Sequence, residues 1–236
     1  MMTWKDIDCP LCGNKGFIID GDTARNCICA TKRNTVRRLE KCGLIKSVER
    51  YTFDSYDATE PWQQRMKTIA MKYADAGASD GKWLYFGGQA GAGKTHLATA
   101  VIGKLAETMN VLYCPWTFDV QRLKSVIMDD SKYHDSIMPL QKVDALFIDD
   151  LFKPTRDKRG ETQAATGADL RVAFDILNYR YINDLPTIIS SEWHIRELDE
   201  MDEAVASRIY EKSYEYRVNI KRDINRNHRY ANDEIM

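Results

Sequence analysis

The chain carries almost no net charge, no long apolar run and few histidines. Its 34 Lys and Arg balance 35 Asp and Glu, for a formal charge of −1 over 236 residues, which excludes a globally basic nucleic-acid binder. No apolar stretch approaches the ~18 residues of a membrane-spanning helix, and no hydrophobic signal-peptide core follows residues 1–6. The reading is a soluble cytoplasmic protein with no membrane partner, in the bacterial cytoplasm or, for a phage protein, that of its host. Internal repeats and low-complexity tracts are also missing, so no solenoid or disordered array is expected. What is present, 44% hydrophobic and 29% charged residues, suffices for one full core and a small appendage. Charge is placed unevenly: residues 33–50 and 217–229 are basic, residues 197–203 acidic.

Four of the six cysteines fall within the first thirty residues. Cys9-Pro10-Leu11-Cys12 and Cys27-Ile28-Cys29 flank a segment with Gly16, Gly21 and Asp22 that can turn as a hairpin. Four thiolates at such a knuckle suit tetrahedral Zn2+, which would replace the core that so short a segment cannot build. Disulfides or unrelated free thiols are the competing readings, and a reducing cytosol disfavours the former. The C-x-C spacing of the second pair leaves open how Cys27 and Cys29 share the ligation. No histidine lies near to compete, and Cys42 and Cys114 read as small buried residues.

Gly88-Gln89-Ala90-Gly91-Ala92-Gly93-Lys94-Thr95 fits the phosphate-binding template G-x-x-x-x-G-K-[S/T]. Glycines let the backbone approach phosphates, so that successive N–H groups and the next helix N-terminus point at negative charge. Lys94 would reach the β- and γ-phosphates of a nucleoside triphosphate, and Thr95 would ligate Mg2+. The apolar strand 83–86 before the loop and the helix 95–106 after it, with Leu97, Val101 and Leu105 on one face, supply the required context.

Further strands are read at residues 110–115, 143–150, 186–191 and 214–220, and helices at 31–46, 61–76, 118–128 and 168–182, with a last helix ending in Ala204 to Tyr210. The strand ending in Asp149-Asp150 is apolar on both faces, as in a parallel sheet covered by helices. At its tip Asp149 would hold Mg2+ and Asp150 would orient the attacking water, the competing reading being two solvated loop aspartates. A polar loop carrying Lys153, Arg156, Lys158 and Arg159 follows.

With these residues the chain resembles helicase-loader ATPases of the DnaC/DnaI group in the AAA+ superfamily, which also includes the transposition ATPase IstB. The shared marks are Gly93-Lys94-Thr95-His96-Leu97-Ala98, Ile148-Asp149-Asp150-Leu151, and Asn178-Tyr179-Arg180-Tyr181 before Pro186-Thr187-Ile188-Ile189-Ser190-Ser191, besides the amino-terminal cysteines. The resemblance implies an α/β core, a five-stranded parallel sheet with helices on both faces. It implies residues 51–236 as the ATPase domain and residues 1–50 as a zinc module and linker helix that grips a helicase. With only 28 residues after Arg208, no full helical lid is expected. Subunits would assemble as a spiral or ring with ATP at each junction.

Arg208 matches the arginine finger donated to a neighbour's γ-phosphate, and Ser191 falls at or near the sensor position. Glu192 stands where the family often has asparagine. Arg226 sits where loaders place a second nucleotide-sensing arginine, a solvated basic tail being the alternative. Residues 116–130 correspond to the family's extra helix, making Phe118, Arg122 and Lys124 candidate contacts to single-stranded DNA. The implied function is ATP-dependent loading of a DnaB-type replicative helicase. The alternatives are an IstB-like transposition helper and a helicase-binding adaptor or inhibitor that needs no turnover.

Overall fold

The computed structural model describes residues 8–21, 23–156, 162–163 and 165–230. Residues 1–6, read above for a signal peptide, lie outside them, as do Asp22 of the expected turn and Lys158 and Arg159 of the polar loop. Strands β1 (Phe17–Asp20) and β2 (Thr23–Asn26) form an antiparallel hairpin between the cysteine pairs. Helices α1 (Ile28–Lys41) and α2 (Ile45–Arg50) follow. The single helix expected over 31–46 is two, because Gly43 adopts φ 73 and its N–H closes on Glu40 O.

The remaining elements alternate. They are α3 (Pro61–Ala76), β3 (Trp83–Gly88), α4 (Lys94–Leu105), β4 (Val111–Pro115), α5 (Trp116–Ser125), α6 (Asp130–Lys142), β5 (Ala145–Asp149), the two-residue strands β6 (Thr155–Arg156) and β7 (Thr162–Gln163), α7 (Gly167–Ile182), β8 (Thr187–Ser190), α8 (Ile195–Met201), α9 (Glu203–Lys212) and β9 (Arg217–Ile220). Five strands form one sheet in the order β4-β5-β8-β3-β9, with every pairing parallel. The expected doubly covered parallel sheet is present. The last helix is split, since Asp202 caps a new one by accepting from Val205 N.

Alternation along β3 explains why the sheet has two faces to bury. Trp83 and Tyr85 enter one core, with residues of α5, α6, α7 and α9; Leu84 and Phe86 enter the other, with residues of α3 and α4. All six residues of β3 are buried, and each large apolar side chain there contributes ~1.5–3 kcal/mol. Leu39 and Leu44 belong to the second core, so α1 and α2 pack on the body built around the five-stranded sheet. Arg38 adds a guanidinium bond of 3.0 Å to Ala106 O at the end of α4. Arg180 of α7 is buried and, among the described residues, has no carboxylate partner. It donates to Thr187 Oγ1 and to the carbonyls of Leu140, Gln141, Val143, Asp144 and Pro186, fastening the entrances of β5 and β8 to α7.

Candidate functional site

Strand β3 delivers the glycine loop to the carboxyl edge of the sheet, and α4 begins at Lys94. Gly93 caps that helix with φ 83, a conformation that strains any residue bearing a Cβ, and an added Cβ would also lie 2.6 Å from Tyr56 Cε2. Gly91 has φ 73, and a Cβ there would overlap the Asn227 side chain. Ala92 is buried behind the loop, its carbonyl accepting from Tyr56 Oη at 3.4 Å. Lys94 folds over the loop, Nζ donating at 2.7 Å to both Gly88 O and Gln89 O. Burial pulls its pKa down to about 8, against the opposing charges of Glu192, Asp150 and Asp149 and helped by Arg229. A triphosphate would supply the anionic partner that this ammonium lacks.

Strand β5 ends beside it. Thr95 Oγ1 donates to Asp149 Oδ1 at 2.9 Å, Ser190 Oγ to the same oxygen at 2.5 Å, and Tyr113 Oη to Oδ2 at 3.0 Å. Burial raises the Asp149 carboxyl above its ordinary range, while the Ser190 hydroxyl holds it down and the Asp150 charge adds to the rise. The hydroxyl of Thr95 and carboxylate of Asp149 form the hard-oxygen pair that Mg2+ prefers. Asp150 adopts φ 58, its N–H donating to Ser190 Oγ and its carboxylate accepting from Lys153 Nζ at 2.5 Å. Lys153 also lies 4.0 Å from Glu192.

Lys94, Thr95, Asp149, Asp150 and Glu192 line a cavity of about 510 Å3. Arg50, Tyr51 and His96 also line it, with His96 tilted against Tyr51, edge-on to Tyr56 and bonded to Thr52 O at 2.9 Å. Burial lowers the His96 pKa. His228 and Arg229 close another side, and His228 N donates to Gly91 O at 3.1 Å. Sequence reasoning overlooked Arg50, Tyr51, Tyr113, Ser190, His228 and Arg229. Only Ser190 carried a usable signal, as a hydroxyl at the tip of a buried strand.

Other expected residues lie elsewhere. Ser191 is fully buried and donates to Leu151 O at 2.8 Å, so Ser190 is the serine that meets Asp149, while Glu192 lines the cavity. Arg226 stacks over Trp62 at 5.3 Å and lines a different cavity; the tail turns three residues later to bring Arg229 to the phosphate loop. Arg208 lies on α9 against α7, with Nε bonded to Asn178 Oδ1 at 3.0 Å and its guanidinium 4.8 Å from the Phe174 ring centre. It does not line this chain's phosphate cavity. On α5, Phe118 is 77% exposed and Arg122 pairs with Asp119 at 3.3 Å. Lys124 is held by Asp169 at 2.8 Å and Thr166 at 3.3 Å, so it braces the cap of α7.

Four sulfurs meet at the base of the amino-terminal hairpin. Cys9 and Cys27 are 3.7 Å apart, Cys12 and Cys29 3.4 Å, and all four ligand atoms lie within 4.8 Å of one another. Zn–S bonds of ~2.3 Å at tetrahedral angles need sulfurs ~3.8 Å apart, so the donor set fits zinc. Although burial opposes ionisation, the Gly16 N–H and the neighbouring sulfurs draw Cys12 down to about 6. Burial and the same neighbours push Cys29 up to about 12.

Comparison with known proteins gives the relationship. The phage-like element PBSX protein XkdC of Bacillus subtilis is 40% identical over 136 residues, which make up 57% of this chain and 48% of XkdC. The chain thus spans about half the length of that relative. The DnaC helicase loader structure superposes with TM-score 0.59 at 23% identity, covering 74% of this chain and 97% of that one. The DnaI structure gives 0.57 at 23% identity, covering 74% and 92%. Among the described residues no helix is long and apolar enough to cross a membrane. Residues 48–212 match the bacterial DnaA ATPase domain, and with its phosphate loop and parallel sheet the chain belongs to that AAA+ family.

Proposed function

We propose that the chain is an ATP-dependent loader of a hexameric replicative helicase, hydrolysing ATP at junctions between like subunits and holding single-stranded DNA. The observation that carries this reading is the mounting of the cysteine module. Helix α1 starts between the second cysteine pair and ends packed, through Leu39 and the Arg38 bond to Ala106, on the helix that the phosphate loop opens. A change at the loop therefore has a short mechanical route to a partner-gripping module. Zinc on Cys9, Cys12, Cys27 and Cys29 would hold that module's shape. Similarity to XkdC supports a phage-borne origin.

At the nucleotide, Lys94 and the N-terminus of α4 bind the phosphates, and Thr95 with Asp149 would hold Mg2+, which would supply charge neutralisation to the phosphates. Asp150 orients the attacking water, and Arg208, standing on an outer helix of the neighbouring subunit, stabilises charge developing on the γ-phosphoryl group. ATPase activity should therefore fall with Asp150→Asn and with Arg208→Ala, and mixing the two proteins should restore part of it. No restoration would rule out a shared site. Glu192 favours a second reading, a slow or non-hydrolysing adaptor, because a carboxylate in the cavity cannot donate to phosphate.

The test of the whole is affinity capture with and without a slowly hydrolysed ATP analogue. Recovery of a hexameric helicase that depends on nucleotide supports loading, and retention of partner function by Lys94→Ala supports the adaptor. A transposase partner together with duplex preference would replace both by a transposition helper.

A further inference from the structure

A second cavity, of about 560 Å3, opens at the free edge of β9, against the start of α3 and the turn Ile224–Arg226. Three arginines line it, Arg65, Arg217 and Arg226, together with Trp62 and Tyr214, and no carboxylate does. Among the described residues Arg65 makes no hydrogen bond or ion pair. Arg217 stacks on Tyr210 at 3.9 Å and donates to Tyr210 O, which orders its guanidinium without neutralising it. Arg226 is likewise ordered, over the Trp62 ring. Tyr214 is 71% exposed. Unneutralised guanidiniums, two of them held against aromatic rings, beside an open aromatic face are the parts that bind a phosphate backbone and stack a base.

We propose that this groove binds single-stranded nucleic acid, with phosphates at Arg65, Arg217 and Arg226 and a base against Tyr214. The proposal rests on the single-strand half of the reading above but adds a surface on the opposite edge of the sheet from β4, the strand that leads into α5. The acidic segment 197–203 of a second copy is the competing occupant. It would satisfy the guanidiniums and leave the Tyr214 ring unused, so the aromatic face favours nucleic acid.

The test is fluorescence anisotropy of the full chain with labelled oligothymidylate across a salt series. The variants are Tyr214→Ala and Arg65→Gln, neither of which touches the phosphate cavity, with Phe118→Ala as the comparison on α5. Tyr214→Ala should weaken binding roughly 5- to 100-fold. Arg65→Gln should weaken it and flatten the salt slope by about 0.7. ATP-analogue affinity should stay that of the wild type. Wild-type affinity in both groove variants overturns the proposal, and if Phe118→Ala alone loses binding the loader reading stands without it. A wild type that binds no single strand removes both. Unchanged DNA binding with impaired self-association in sedimentation assigns the groove to the acidic segment and also overturns the proposal.

Discussion

Raising the pH should weaken nucleotide binding through Lys94. Among the described residues the ammonium donates to the carbonyls of Gly88 and Gln89 and to no carboxylate, and burial brings its pKa to about 8 from the usual 10.5. Bound phosphates restore it to the ordinary range or above, so binding takes up a proton. Uptake should be ~0.5 proton at pH 8 and ~0.9 at pH 9, and affinity should fall about tenfold between pH 7 and 9. Phosphate's own ionisation, near 6, is complete over that window. Titration calorimetry in buffers of small and large ionisation enthalpy reads the uptake directly, and Lys94→Met should abolish it. The empty protein should respond in the opposite sense. A cation whose folded pKa lies below its unfolded value costs stability while protonated, so Lys94 contributes a gain on the order of 3 kcal/mol as pH climbs from ~8 to ~10.4. Flat affinity from pH 7 to 9 with buffer-independent enthalpies would refute the argument.

Gly91→Ala should reduce ATP-analogue affinity at least ~10-fold, since the new methyl both occupies a φ of 73 and displaces Asn227; wild-type affinity would show that the tail yields freely. Arg180→Met should lower stability to urea by about 4 kcal/mol or more, because it takes a guanidinium donor from five backbone carbonyls, of which Pro186 O keeps the Leu146 N–H, and a loss under ~1 kcal/mol would contradict the accounting. Metal analysis should find about one zinc per chain, and chelation should loosen the hairpin β1/β2 in hydrogen exchange while β3 stays protected; a Cys9–Cys27 disulfide in metal-free protein would remove the zinc reading. Ser190→Ala should cut ATP turnover at least ~10-fold in protein that remains folded, whereas Ser191→Ala should lower stability through its bond to Leu151 and leave turnover nearly unchanged; the reverse pattern of turnover would return the role to Ser191.

The fold was most legible where one strong pattern ran without interruption. Strand β3 is read from a continuous apolar run because both faces of a parallel strand are covered, and α3 from Pro61 at its first turn and a periodic apolar face. Helix α6 was illegible for the opposite reason. Pro139 sits inside it, and its buried Tyr133, Ile137 and Leu140 are spread thinly among polar residues. The split between α1 and α2 turns on Gly43 alone, whose positive φ a hydrophobic pattern does not register.

The site divides in the same way. Lys94, Thr95 and Asp149 are readable because each is named by its neighbours in sequence, in the loop or at the end of the strand. The residues that tune them are harder to read, since Tyr113 of β4 and Ser190 of β8 reach Asp149 only through the sheet order and Arg229 arrives on the tail after β9, with the Ser190 hydroxyl at a strand tip the one usable signal. Between Ser190 and Ser191 the decision lies in strand pleat. Successive side chains point to opposite faces, and at the end of β8 this sends Ser190 to Asp149 and Ser191 to the carbonyl of Leu151. The two aspartates part for a related reason. Asp150 turns out of the strand at φ 58, so one serine hydroxyl donates to the Asp149 carboxylate and accepts the N–H of Asp150, while Lys153 balances the charge of the latter. Adjacent identical residues thereby gain unlike environments, one sunk among hydroxyl donors and suited to a metal, the other facing the cavity and suited to water.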